Sequence, residues 1–265
     1  MQNTGKINAQ FIRETFGTAS TGGEAIQYRD PAEEPVLAAL GERADFEAMR
    51  LTRLMALPDL TRKANSPVRF LVEKFLTIPA FHNFDVAQIP ETVTAAHAFD
   101  LFDFPKEHPS RKETDTYFVS SDRILRTHTT SMWLYYLSDP MALAEMEKRG
   151  EAGLLAYGKV YRKDEIDRKH FPVFHQIDGL YLVKREKKIM MLKDLQDVLA
   201  QVVKAAFGDN SEWRFLDDAF PFTNPSTQVE VKFGDDWLEV GGAGLVKDSV
   251  IEKLGVDPKI YKGWA

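Results

Sequence analysis

The chain has 265 residues, a formal net charge of −6, 44% hydrophobic residues and no cysteine. That is enough apolar chain for one large domain or two small ones, and the lack of cysteine excludes a disulfide framework, a thiolate nucleophile and a zinc–thiolate site. The acidic balance argues against a protein that coats nucleic acid by overall charge, no apolar run of about 18 residues marks a membrane span, and the first residues lack a leader pattern, so a reducing, cytoplasmic setting is expected.

Residues 1–30 are rich in Gly, Thr and Ser, and Thr18–Gly23 is expected to be a loop. Helical spacing begins at Pro35 and runs to Met55, through Val36, Leu37, Leu40, Phe46, Met49, Leu51 and Leu54, with Pro58 behind it. Ser66-Pro67 opens a helix whose apolar face is Val68, Leu71, Val72, Phe75 and Leu76. A strand is expected at Phe84–Ile89, stopped by Pro90. Residues 95–114, with their many charges, read as an exposed loop. Two strands, Asp115–Ser120 and Arg123–Thr129, are expected around Ser121-Asp122. Thr130 starts a helix carrying Met132, Trp133, Tyr136 and Leu137, and a second helix runs from Pro140 to Arg149 with Gly150 as its stop. Met191–Phe207 has the clearest apolar stripe in the chain and is followed by Gly208. Strands are then expected at Trp213–Leu216, Thr227–Phe233 and Trp237–Val240, and a short helix at Ser249–Leu254. Hairpin-linked strands with helices set among them predict an α+β fold on an antiparallel sheet.

The richest chemistry lies in residues 158–179, GKVYRKDEIDRKHFPVFHQIDG, which read as strand, charged loop, strand. Alternation puts Phe174, Gln176 and Asp178 on one face: an aromatic plane, an amide and a carboxylate in a row. Arg162 ends the first arm. Its guanidinium fork suits phosphate oxygens, although a lone arginine in a charged hairpin is more often only surface. His170 closes the loop and suits a phosphate contact. A metal site from His170, His175 and Asp164 or Asp167 is disfavoured, because His175 falls on the face opposite Phe174 and Gln176. Phe220-Pro221-Phe222 is either core flanking a turn or a slot for a flat apolar group, with both rings on one side. The hydroxyls of Arg126-Thr127-His128-Thr129-Thr130 either cap the next helix or bind an ammonium or carboxylate. Glu239, between apolar neighbours, is either exposed or a ligand for Mg²⁺ or a ribose. Arg185–Lys188 reads as a solvated turn.

Six segments in order, HNFDVAQIP (82–90), HPSRKETDTY (108–117), RTHTT (126–130), GKVYRKDE with FHQIDG (158–179), FPFTNPS (220–226) and WLEVGGAG (237–244), resemble the catalytic α subunit of the phenylalanyl-tRNA synthetases, which are class II aminoacyl-tRNA synthetases. The resemblance covers about residues 66–265, so the chain divides into an N-terminal appendage (1–60) and a catalytic core (61–265). It implies the class II antiparallel sheet flanked by helices, incomplete at the C-terminus, because a third class motif carrying an arginine for the γ-phosphate would follow Ala265. The 265-residue chain by itself is therefore expected to be weakly active or inactive.

The resemblance also implies roles. Arg162 would hold the α-phosphate of ATP, Asp164 the adenine end and His170 the outer phosphates, with Phe174 stacked on adenine. His128, Thr130, Gln176 and Asp178 would surround the amino and carboxylate groups of phenylalanine. Phe220 and Phe222 would sandwich its ring above the small residue Ala265. Glu239 would face ATP and Mg²⁺. Asp164 and Asp178 stand where many bacterial members have Glu, and Asn224 stands where the family usually has an acid that helps hold Mg²⁺. The implied cofactors are ATP and Mg²⁺, and the implied partners are a β subunit in an (αβ)₂ assembly and tRNA(Phe). The alternatives are a non-catalytic binding module and a related class II enzyme for another amino acid such as phosphoserine. The aromatic slot and the lack of added basic residues oppose the latter.

Overall fold

The computed structural model describes residues 25–167 and 170–265, so the loop expected at Thr18–Gly23 lies outside the described residues. Strand β1 (Ile26–Gln27) is followed by helices α1 (Glu33–Gly41), α2 (Phe46–Met55) and α3 (Pro67–Leu76), then strands β2 (Asp85–Gln88), β3 (Thr92–Thr94) and β4 (Arg123–Leu125). Helices α4 (Met132–Leu137) and α5 (Pro140–Arg149) lead into the long hairpin β5 (Glu151–Tyr161) and β6 (Val173–Lys184). Helix α6 (Leu192–Phe207), strands β7 (Trp213–Asp218), β8 (Thr223–Phe233) and β9 (Asp236–Val246), helix α7 (Asp248–Lys253) and strand β10 (Tyr261–Trp264) complete the order. The caps read from sequence are made. The Ser66 hydroxyl accepts from the Val68 N–H at 3.2 Å, the Asp139 carboxylate from the Met141 N–H at 2.9 Å, and Gly150 ends α5 at φ 70°.

The main sheet runs β1-β2-β5-β6-β10-β9-β8-β7. It is antiparallel except at one edge, where β1 pairs parallel with β2 and β2 parallel with β5. Helix α6 covers one face together with α3. Leu195, Phe75 and Ile78 pack there on Leu155, Val183, Leu245 and Trp264, and Val203 packs on Val229 and Val231. The other face buries Met132, Trp133, Tyr136 and Met146 against Leu154, Ala156, Leu180 and Leu182. Residues 25–60 pack into this body. Leu40, Ala48 and Leu51 join Tyr117, Tyr161 and Val173 in one buried cluster, and Asp30 pairs with the buried Arg123 at 2.6 Å.

Two expectations need correcting. Residues 95–114 are not an exposed loop: a π-helical turn at Ala96–Asp100 and a 3₁₀ turn at Pro109–Arg111 fold them inward, and Phe99 and Phe102 are buried. The aspartates that disguise the segment turn outward. Asp100 meets Arg111 at 2.6 Å, and Asp103 accepts from Ser249 and Lys253. Of the strands expected at Asp115–Ser120 and Arg123–Thr129, only Arg123–Leu125 forms, pairing with β3, while Phe118 contributes a single bridge to Ile124.

Strand β10 wedges between β6 and β9 with Gly263 opposite Leu182. A Cβ on Gly263 would lie 1.7 Å from the Tyr181 carbonyl oxygen and 2.9 Å from the Leu182 Cα, both backbone atoms that cannot move without parting the strands. Gly263→Ala is expected to cost about 3 kcal/mol, read as a lower urea midpoint at unchanged slope. A midpoint equal to that of the native chain would show that the strands part without cost.

Candidate active site

The β5–β6 register sets the row that the sequence singled out. Val160 pairs with Phe174, Gly158 with Gln176 and Ala156 with Asp178, so the three side chains of β6 share one face and their partners on it are small or apolar. The Thr130 hydroxyl, just ahead of α4, donates to Asp178 Oδ2 at 2.5 Å. Burial pushes the Asp178 carboxyl up to about 6, against the lowering pull of that hydroxyl and of the Gly179 N–H. The carbonyl oxygen of Gln176 is buried and has no hydrogen-bond partner.

His128 supplies a third acceptor. Its Nε2 lies 3.1 Å from the Ala98 carbonyl, which can only accept, so Nε2 carries the proton and Nδ1 presents a lone pair. Nδ1 is buried and unpartnered, and burial pushes the imidazole down to about 4, so it is neutral at pH 7. Asp178, Gln176 and His128 each present an acceptor, the kind of group an ammonium would satisfy.

The Asp178 value has a testable sign. An ammonium favours the ionised carboxylate, so its affinity is level above about pH 6 and falls below it. On the amino-acid role that the resemblance implies for Asp178, L-phenylalanine is expected to bind roughly tenfold more weakly at pH 5 than at pH 7.5 in a calorimetric titration. Equal affinity at the two values would remove Asp178 from the site. In stability the two groups oppose each other. The raised pKa of Asp178 contributes stability below 3.8 that is lost as pH rises through about 6. The depressed pKa of His128 contributes stability above 6.5 that is lost as pH falls toward 4.

Beyond the row lies an aromatic cluster. Phe220 and Phe222 stack with ring centroids 6.1 Å apart and an interplanar angle of 25°. Gly242 on β9 lets Phe220 lie against the strand, since a Cβ there would fall 2.2 Å from the ring. Ala265 exchanges backbone hydrogen bonds with Gly244, and it and Phe222 pack against the same buried cluster. Sequence reading missed the far wall. Phe104 lies parallel to His128 (5°) and near-parallel to Phe222 (23°), at 6.3 Å from each. Phe102 meets Phe222, His128 and Trp133 edge-on. The signal was the aromatic spacing in Leu101-Phe102-Asp103-Phe104, masked by its acids.

The nucleotide side is looser. The Arg162 guanidinium lies over the Phe174 ring at 5.0 Å, and its Nε donates to the Thr127 carbonyl at 3.2 Å. Asp164 is exposed in the connecting loop, and His170 is held by Asp167 at 2.9 Å. Glu239 is exposed on β9 opposite Glu230, and Asn224 is exposed at the start of β8, so neither is drawn to the row by a contact. Among the described residues no three His, Asp or Glu side chains converge on a metal position. His175 points away from the row, toward Asp59 and Leu60, as alternation predicted. A cleft of about 230 Å³ bounded by Phe84, Tyr181 and Trp264 opens on the reverse face of the sheet and is not part of this site.

The sequence profile of the family "tRNA synthetases class II core domain (F)" matches residues 55–265. The chain belongs to this family. Among similar sequences, the phenylalanine--tRNA ligase alpha subunit of Synechocystis sp. is 32% identical over 100% of this chain and 76% of its own length. That of Mycolicibacterium vanbaalenii is 32% identical over 86% of this chain and 66% of its own, and that of Coxiella burnetii 35% over 75% and 57%. The chain thus spans between 57% and 76% of these relatives. Two solved structures of a pyrrolysyl-tRNA synthetase from Desulfitobacterium hafniense superpose with TM-scores of 0.53 and 0.54 at 18% and 17% identity. They cover 90% and 98% of this chain, and 78% and 86% of their own. At that identity they carry the fold alone: the mixed sheet and its flanking helices are those of a class II core. No helix among the described residues is long and apolar enough to cross a membrane.

Proposed function

We propose that this class II core activates L-phenylalanine with ATP and passes it to tRNA(Phe), as the α subunit beside a β subunit in an (αβ)₂ assembly. The observation that carries this reading is the junction of an ammonium-accepting row with an aromatic slot. Asp178 and Gln176 lie on β6 with His128 and Thr130 at the next helix, and Phe220, Phe222, Phe102 and Phe104 wall the space beyond. On this reading Asp178, Gln176 and His128 take the amino group. The rings take the phenyl group, and Ala265 leaves room at its floor.

The reaction needs positioning more than covalent chemistry. The phenylalanine carboxylate attacks the α-phosphorus of ATP in line, pyrophosphate departs, and the ribose 2′-hydroxyl of the tRNA terminus then displaces AMP from the adenylate. Arg162 neutralises charge on the α-phosphate, and the pair of Arg162 and Phe174 offers a cationic edge and a flat face to the nucleotide. His170 and Asp164, exposed on the connecting loop, are assigned to the outer phosphates and the adenine end. Glu239 is assigned to the nucleotide side of the site. Mg²⁺ does not fit a preformed site among the described residues, because Glu239 stands exposed and Asn224 brings no charge, so no step is assigned to a metal. We place the reaction in the cytoplasm, where tRNA charging feeds translation. We keep the division at 60/61 as one of sequence resemblance.

The test is calorimetry with L-phenylalanine and with a non-hydrolysable phenylalanyl-adenylate analogue, against L-leucine and L-phosphoserine. Selective binding of phenylalanine, and tighter binding of the analogue, are expected. Phenylalanine-dependent ATP–pyrophosphate exchange by the chain with its β subunit measures the activity itself. Absence of phenylalanine binding, or equal binding of phosphoserine, would overturn the reading.

A further inference from the structure

The front of the β5–β6 hairpin carries side chains that await a ligand. The back carries side chains that are fully engaged. Lys159 and His175 are cross-strand partners there, one residue out of step with Gly158 and Gln176 on the front. Both are polar, whereas Leu155, Ile177 and Val183 on the same face of the hairpin are apolar. Lys159 is buried, with its ammonium donating to the Met55 carbonyl at 2.6 Å and the Leu57 carbonyl at 2.9 Å, and facing Glu91 at 3.2 Å. The Leu60 N–H donates to His175 Nε2 at 2.9 Å. The other ring nitrogen must then carry the proton, and it serves the Pro58 carbonyl. Arg62 donates to the Tyr157 carbonyl at 3.0 Å, pairs with Asp59 at 2.7 Å and lies over the Tyr157 ring at 4.7 Å.

Residues 55–62 therefore run across the back of the hairpin, and hairpin side chains take up their backbone groups one after another. No ladder pairing holds the segment there; side chains at 157, 159 and 175 do. The front is held less completely: Thr130 donates to Asp178 and Arg162 lies over Phe174. Phe174, Gln176 and Asp178 are half-buried, the Gln176 carbonyl oxygen is unpartnered, and Arg162, residues 164–167, His170 and Phe171 are exposed. In a strand the direction of one side chain follows rigidly from its neighbours on the other face. A displacement of about 1 Å in a positioning group can cost roughly 10²-fold in rate. The family match also begins at Met55, the first residue so held.

We propose that residues 55–62 are a strap that sets the geometry of the substrate row from behind, with His175 and Lys159 as positioning residues acting through it. The proposal rests on the reading of the row as the phenylalanine and nucleotide site. His175 touches no substrate; its two hydrogen bonds fix the β6 backbone from which Phe174 and Gln176 project.

The bond between Leu60 and His175 can be cut from either end. His175→Ala removes the acceptor. Leu60→Pro removes the donor without touching the hairpin, at the second position of a turn closed by the Arg62 N–H on the Asp59 carbonyl, where proline is tolerated. Leu60→Ala keeps the N–H and controls for the lost side chain. His175→Gln restores an acceptor. Affinity of the full chain for the phenylalanyl-adenylate analogue is measured well below each melting temperature. Each cut is expected to weaken it about tenfold, and the double variant no more than either alone, the coupling of one shared bond. His175→Gln and Leu60→Ala should stay within about threefold of native. Additive losses, or native affinity in folded His175→Ala, would overturn the strap, since a merely structural bond lowers melting temperature without moving affinity. If the native chain binds no analogue, the functional reading fails separately, and hydrogen exchange at residues 174–178 then decides. Faster exchange in both cut variants supports the strap, and unchanged protection refutes it.

Discussion

Replacing Arg126 with leucine is expected to cost at least about 4 kcal/mol, enough to lower the melting temperature by roughly 8 °C or more in a chain of this size. Arg126 is buried, and its guanidinium donates to the carbonyls of Lys159 (2.7 Å), Ile89 (2.8 Å) and Pro90 (3.1 Å). It thus ties β5 to the segment after β2 and to the start of the site loop. Burial pushes its pKa down while the nearby Glu91 carboxylate pulls it up, and an arginine stays charged under both. Leucine would strand three buried carbonyl oxygens and take a cation away from Glu91, the kind of loss that single substitutions rarely exceed. Lysine keeps the charge without the fork and should recover part of the loss. A melting temperature within 2 °C of native for the leucine variant would mean that water reaches these carbonyls. Sequence reading held open whether the Arg126–Thr130 stretch caps a helix or binds substrate. The stretch divides: Arg126 holds backbone, His128 bonds the Ala98 carbonyl, and Thr130 donates to Asp178 in the row.

The second large effect falls on the reaction rather than on the fold. On the function proposed above, Arg162→Ala is expected to lower the single-turnover rate of phenylalanine activation, assayed together with the proposed β subunit, by about 10²- to 10³-fold. Affinity for phenylalanine alone should change little. Arg162 lies exposed over Phe174 with one bond to the Thr127 carbonyl, so the melting temperature should move by no more than a surface substitution does. Lysine at this position keeps the charge but not the bidentate fork, and an intermediate rate is expected. An unchanged rate in the alanine variant would move the α-phosphate contact to another residue. A loss confined to phenylalanine affinity would place Arg162 on the amino-acid side.

How much of this was legible in the chain depends on the range of the physics. Ser66-Pro67, Asp139-Pro140 and Gly150 act within one helical turn, and each cap forms where the residues stand. Alternation along β6 is equally local. It put Phe174, Gln176 and Asp178 on one face and His175 on the other before any partner strand was known. The pairing of Phe220 with Phe222 follows from the same short spacing. Segment 95–114 was misread because its charges mimic a surface loop. Whether Asp100 and Asp103 face water while Phe99 and Phe102 turn inward depends on Arg111, Ser249 and Lys253, two of which lie some 150 residues away.

The amino-acid sequence by itself determined the helices and their caps, the composition of the substrate row and, through six ordered segments, the family. These are encoded in residue type and in spacings of two to four, where backbone sterics and hydrogen-bond geometry leave few choices. Only the tertiary structure decided that Phe104 stacks on Phe222 and His128 and that burial lifts Asp178 while lowering His128. It alone also showed that residues 55–62 are gripped by Lys159 and His175. Desolvation and long-range hydrogen bonding depend on what the distant parts of the chain place around a group, and no local pattern of residues carries that information.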